Sequence, residues 1–212
     1  MEYLHLTSYQ KDVLKEIGNI GAGNAATSLS KLLDKKIEMN VPSVNVVGYD
    51  ELMELIGGPE EIIVGLLFRI HGEAPGTVYL ILKVEEAEYL VRQLTNDQDF
   101  SLFEGKQDKE MSLSALHEIG NIVTGSYLTA LSDFTKINMQ PSVPYLGIDM
   151  AGALLTAGLL EISKVIDYAI IIDTEIKLDD QVKEGIKGNF FLLPDPESFP
   201  KIFEALGIND HE

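Results

Sequence analysis

Glu16-Ile17-Gly18-Asn19-Ile20 recurs as Glu118-Ile119-Gly120-Asn121-Ile122, and the match runs on through Gly23 and Gly125, Thr27 and Thr129, Leu29 and Leu131, Ser30 and Ser132. Nine of the fifteen aligned positions are identical. Similar runs follow each copy: Lys36-Ile37-x-Met39 with Pro42-Ser43-Val44, then Lys136-Ile137-x-Met139 with Pro141-Ser142-Val143. Further on, Gly76-Thr77-Val78-Tyr79-Leu80-Ile81-Leu82 corresponds to Gly188-Asn189-Phe190-Phe191-Leu192-Leu193-Pro194, and Leu90, Val91 and Leu94 correspond to Ile202, Phe203 and Leu206. A period of about a hundred residues is too long for a solenoid unit, so the pattern predicts duplicated half-domains folding around a pseudo-twofold axis. The repeats cover about 8–97 and 110–208 of a single domain, with the polar run 96–110 as their seam.

Each half reads as a long helix, a strand near the Pro-Ser-Val run, a short helix, a strand pair and a final helix. The paired strands fall at 62–70 and 76–83, joined by His71-Gly72-Glu73-Ala74-Pro75, and at 168–178 and 185–193. Turn formers at such a junction favour a hairpin. The fold class is therefore α/β in layers (α+β), with two long repeated helices packed on one mainly antiparallel sheet.

Composition narrows the function. The 212 residues are 45% hydrophobic and 24% charged, ordinary values for a globular chain with a real core. There is no cysteine, so thiolate nucleophiles and thiolate metal sites are excluded, and a reducing compartment is expected. Residues 1–12 lack the apolar core of a signal peptide, and the apolar stretch 151–160 is too short for a bilayer, which needs roughly 20 residues. A net charge of −18 repels nucleic acid and anionic lipid, which leaves another protein as the expected partner.

On a helical wheel Asp12, Glu16, Asn19, Gly23 and Ser30 share one polar arc, while Val13, Leu14, Ile17, Ile20, Ala25 and Leu29 fill the opposite one. Ser114, Glu118, Asn121, Gly125 and Ser132 repeat that arc, opposite Leu116, Ile119, Ile122 and Val123. One isolated Glu-x-x-Asn would be a solvated helix face. Its recurrence at the same angle, where Asp12, Lys15 and His117 do not recur, marks the pairs as functional. Glycine inside a helix costs about 1 kcal/mol relative to alanine. Gly18, Gly21 and Gly120 are expected to let the helices approach the sheet or each other, and Gly23 and Gly125 to leave room for a partner's backbone. His5, His71, His117 and His211 show no metal-ligand spacing. An amide is no general base, but it can orient a water when the phosphoryl group is already activated. An aspartyl phosphate, an acyl phosphate whose host supplies metal and lysine, fits that restricted chemistry.

Asp12, Glu16, Asn19 and Pro42 obey the spacing Asp or Ser, three residues, Glu, two residues, Asn, twenty-two residues, Pro, and Ser114, Glu118, Asn121 and Pro144 obey it again. On these residues the chain resembles the CheC, CheX and FliY family of chemotaxis phosphatases over about 9–206. The resemblance implies two long helices side by side on the sheet and hydrolysis of phosphorylated CheY in the cytoplasm. Glu16, Asn19, Glu118 and Asn121 would be catalytic, with no cofactor of their own and Mg²⁺ carried by the regulator. It also implies binding of the receptor deamidase CheD near Asp149 and Met150, in a stretch, 149–155, that reads equally well as core helix. Some relatives keep the fold and lose the Glu and Asn, so a non-catalytic adaptor of the flagellar motor switch or of CheD is the alternative. Aligning the Pro-Ser-Val runs pairs Pro42 with Pro141, whereas the fixed spacing selects Pro144.

Overall fold

The computed structural model describes residues 6–95, 97–103, 109–160, 168–178 and 185–207. The first half runs α1 (Ser8–Leu33), β1 (Ile37–Asn40), β2 (Val44–Gly48), α2 (Tyr49–Leu55), β3 (Ile62–Gly72), β4 (Gly76–Lys83), α3 (Val84–Thr95). The second repeats the order as α4 (Lys109–Thr135), β5 (Met139–Pro141), β6 (Tyr145–Met150), α5 (Ala151–Leu160), β7 (Tyr168–Leu178), β8 (Ile186–Pro194), α6 (Ser198–Ala205).

Eight strands form one sheet in the order β1-β7-β8-β4-β3-β5, with β2 also on β7 and β6 also on β3. Every described pairing is antiparallel. The halves are exchanged across the sheet: β1 and β2 of the first half lie on β7 of the second, while β5 and β6 of the second lie on β3 of the first. Strand alternation sends Val64, Leu66, Phe68, Val78, Leu80, Ile170 and Phe190 into a large core beneath α1, α3, α4 and α6. The intervening residues Ile63, Tyr79, Ile81, Ile171 and Phe191 enter a smaller core on the other face, beneath Leu52 of α2, Ile56 at its C-terminal end, and Ala151 and Leu155 of α5. Both faces are covered, which is why the central strands read as unbroken apolar runs. The short helices thus add a third layer that periodicity alone did not assign to a side.

The strand expected at each Pro-Ser-Val run is in fact two. Pro42 has no N–H to give a ladder, and β1 stops at Asn40 before β2 resumes at Val44. The register also corrects the alignment of the halves. α1 and α4 end at Leu33 and Thr135, each followed by a left-handed residue, Asp34 at φ 49° and Lys136 at φ 62°. With β3 superposed on β7, the pairings Ile37↔Leu178 and Gly72↔Met139 keep β1 and β5 at the same 102-residue offset as the helices. Pro42 therefore corresponds to Pro144 and Val41 to Val143. The run Pro42-Ser43 leads into β2, whereas Pro141-Ser142 closes β5, so their likeness is not positional. Leu82 pairs with Val64 as Leu192 pairs with Ile170, which makes Leu82 equivalent to Leu192 and moves the sequence alignment of β4 and β8 by two residues.

Candidate functional site

Thr7 starts α1 with a capping box: its Oγ1 accepts from the Gln10 N–H, and its own N–H donates to Gln10 Oε1 at 2.8 Å. Leu14, Ile17, Gly18, Gly21, Ala22, Ala25, Ala26 and Leu29 are the helix's buried side. A small apolar void places Leu14, Ile17 and Gly18 of α1 beside Tyr127, Leu128 and Leu131 of α4, so early α1 faces late α4 and the pair is antiparallel. Gly21 makes the closest approach: an added Cβ would lie 2.9 Å from Tyr127 Cα and 2.7 Å from its ring. The Tyr127 hydroxyl lies 2.9 Å from Thr174 Oγ1, and burial pushes its pKa up to about 12, with that hydrogen bond acting the other way. Gly120 lets α4 sit on Leu66 and Phe68, and Gly18 lets α1 sit against Val41 and Ile172. Gly23 and Gly125 have no atom within 4 Å of an added Cβ.

The polar arc faces outward at both copies. Asp12, Glu16, Ser114, Glu118 and Asn121 are exposed, and Asn19 is half-buried. On one helix, residues at i and i+3 are surface neighbours, so each Glu can act beside its Asn. Antiparallel packing separates Asn19 from Asn121 by about 12 Å along the helix axes. Ser30 and Ser132, on the same arc, play a structural part. Ser30 Oγ accepts from the Ile37 N–H at 3.0 Å, and Ser132 Oγ donates to the Ile137 carbonyl at 2.6 Å. Those two repeated serines tie the loops after the helices and take no part in the outward patch.

The first copy is held from behind. Asn19 Oδ1 accepts the Val41 backbone N–H at 3.0 Å. Pro42 is exposed, and the next residue, Ser43, donates its hydroxyl to Asp173 and accepts the Asp173 N–H through its carbonyl at 3.1 Å. Asn189 fixes the other carboxylate oxygen of Asp173 at 2.9 Å. The second copy differs. Pro141 and Ser142 stay on β3, with Ser142 N–H bonded to the Arg69 carbonyl, and Val143 turns outward with 88% exposure. Among the described residues Asn121 has no counterpart to the Val41 contact. Pro144 is half-buried at the mouth of β6.

Ile20, expected in the apolar arc, is instead 48% exposed, and its counterpart Ile122 is half-buried. Both lie on the edge of the arc, and Ile122 joins Asn24, Ser28, Gly125, Ser126 and Thr129 in a shallow groove between the helices. Tyr9 and Met111, also 102 residues apart, are exposed one turn before Asp12 and Ser114. Sequence reading missed these apolar flanks, although their shared spacing was a usable signal. It missed Val41 altogether, because a backbone donor carries no residue signature.

Asp149 and Met150 sit at the exposed end of β6, where the Met150 N–H bonds the Asp149 carboxylate at 2.7 Å. Ala151 and Leu155 are fully buried while Ala153 and Thr156 are exposed, so the stretch 149–155 is part surface corner and part core helix. Among the described residues no group of three or more His, Asp or Glu could hold a metal ion, and no helix is long and apolar enough to cross a membrane.

Residues 10–46 and 111–148 match the model of the CheC-like family. The two matched stretches end at Val46 and Ile148, at the offset fixed by the sheet register. The chain is 43% identical over 200 residues to the CheY-P phosphatase CheC of Bacillus subtilis, which spans 94% of this chain and 95% of that one. Among solved structures, FliY of Thermotoga maritima superposes with a TM-score of 0.73 at 23% identity, covering 95% of this chain and 98% of that one. The FliM middle domain of H. pylori superposes at 0.67 with 16% identity, covering 94% and 99%. At those identities the structural matches speak for the fold.

Proposed function

The chain belongs to the CheC-like family, and we propose that it hydrolyses the aspartyl phosphate of a CheY-type response regulator by presenting Glu16 with Asn19, and Glu118 with Asn121, to the regulator's own phosphorylation site. The observation that carries the residue assignment is the duplicated outward arc, with a Glu and an Asn one turn apart at both copies and open glycines one turn beyond. In this reading each Asn carboxamide aligns a water for in-line attack on phosphorus, and each Glu pairs with the lysine beside the phosphorylated Asp. The proton and the leaving carboxylate stay within the regulator's site, where the regulator's Mg²⁺ neutralises the developing charge. The protein lends an amide and a carboxylate to an active site that another molecule owns.

The same reading places the protein in the cytoplasm with its substrate, and gives the corner at Asp149 and Met150 to a second partner, the CheD deamidase. A non-catalytic adaptor role is disfavoured by retention of both Glu and Asn pairs. The deciding experiment adds the protein to a CheY-type regulator phosphorylated with acetyl phosphate. Faster phosphate release with no metal beyond the regulator's Mg²⁺ is expected, and an unchanged rate with intact binding would leave only the adaptor.

A further inference from the structure

We propose that Val41, held extended by Pro42, is a positioning residue for Asn19: its backbone N–H latches the carboxamide oxygen and thereby fixes which way the catalytic amide points. The inference rests on the water-orienting reading of Asn19. A free Asn side chain samples several rotamers and can flip its oxygen and nitrogen, and only some of those arrangements can order a water. The Val41 donor at 3.0 Å selects one and leaves the amide nitrogen on the opposite branch.

Three features hold the donor in place. A residue before proline is biased towards extended conformations, so Pro42 narrows the backbone angles open to Val41. Gly18 lacks the methyl that would meet Val41 Cγ2 at 3.2 Å, which lets the loop seat against α1 with Val41 only 2% exposed. Ser43 is pinned to Asp173 through both backbone and side chain, so the loop cannot drift off β7. The proline at this spacing from the Asn thus acts through the donor before it, and not by touching the regulator. The second copy has the same Val143-Pro144 dipeptide but no latch, because β5 keeps Ser142 on Arg69 and throws Val143 into solvent.

The test is a cycle of Pro42→Ala in two backgrounds, with phosphate release followed from a CheY-type regulator kept phosphorylated by acetyl phosphate. With Asn121→Ala only the first site works, and Pro42→Ala should lower kcat about three- to tenfold, the range expected for loss of one hydrogen bond, with KM and thermal midpoint little changed. With Asn19→Ala only the second site works, and Pro42→Ala should leave its rate as it was. An equal loss in both backgrounds, or no loss in the first, would overturn the latch. Activity surviving in Asn19→Ala/Asn121→Ala would instead refute the water-orienting reading itself. If the first site is silent once Asn121 is removed, amide hydrogen exchange decides. The Val41 N–H should be protected in the native chain and exchange at least tenfold faster in Asn19→Ala and in Pro42→Ala, whereas an unprotected native amide contradicts the proposal.

Discussion

Gly23→Ala together with Gly125→Ala should make the protein more stable and less active at once. Neither added methyl meets any atom within 4 Å, so the substitutions leave packing alone and each returns the helix-propensity difference of about 1 kcal/mol. For a chain of this length that is about 2–4 °C per site, and because neither methyl touches another group the two gains should add. Gly21→Ala is the internal control, since it gains the same propensity but drives a methyl to 2.9 Å from Tyr127 Cα, a backbone atom that cannot rotate away. Overpacking of that kind costs about 1–3 kcal/mol, so Gly21→Ala should melt below the double variant by more than the propensity gain can mask. Activity responds to the space that the methyls fill. If the regulator's backbone approaches α1 and α4 one turn beyond each Asn, losing about 1.4 kcal/mol of complex stability lowers apparent affinity roughly tenfold. Thermal melts and phosphate-release assays read the two effects separately. A double variant that is less stable would refute the open-face geometry, and one that is more stable with unchanged affinity and rate would refute close approach at these glycines.

Glu16→Gln and Glu118→Gln should raise KM for the phosphorylated regulator at the affected site while leaving the melting curve in place, because both carboxylates are exposed and unpaired among the described residues; unchanged KM and rate would return them to plain surface charge. Tyr127 should resist ionisation until about pH 12, since burial favours its neutral form. Below the unfolded value near 10 both states keep the proton; between 10 and 12 only the unfolded chain releases it, so stability falls as pH rises by up to about 3 kcal/mol. Absorbance at 295 nm should therefore show a late-titrating component that shrinks by one tyrosine in Tyr127→Phe, and a titration complete near pH 10 in the folded chain would contradict it.

The repeated helices, their polar arcs and the strand pairs were legible because each is a local pattern. Strands β4 and β7 have the bounds expected from sequence, and β3 and β8 differ by at most two residues at an end. The glycines were legible too: the split between packed Gly18, Gly21 and Gly120 and open Gly23 and Gly125 follows from their angles on one wheel. What periodicity could not carry was pairing between distant segments. The exchange of β1 and β2 onto β7 depends on register, and register exposed the Pro-Ser-Val alignment as a coincidence of local sequence. Ile20 was misplaced because an ideal wheel treats the edge of the apolar arc as buried, whereas Ile20 on that edge is 48% exposed. The inequivalence of Asn19 and Asn121 lay beyond reach for the same reason as the register, since it is set by whether a loop stays on its strand.

Whether two amides do the chemistry is decided by single-turnover phosphate release from a CheY-type regulator in the presence of Asn19→Ala/Asn121→Ala. Alanine is the better helix former at both positions, and circular dichroism should show a fold at least as stable as the native one, apart from the cost of one lost hydrogen bond at Val41 of about 1 kcal/mol. The regulator should still bind the variant but lose phosphate no faster than it does alone, with each single variant falling between. A folded double variant that still accelerates phosphate release would show that the amides are not the source of the activity.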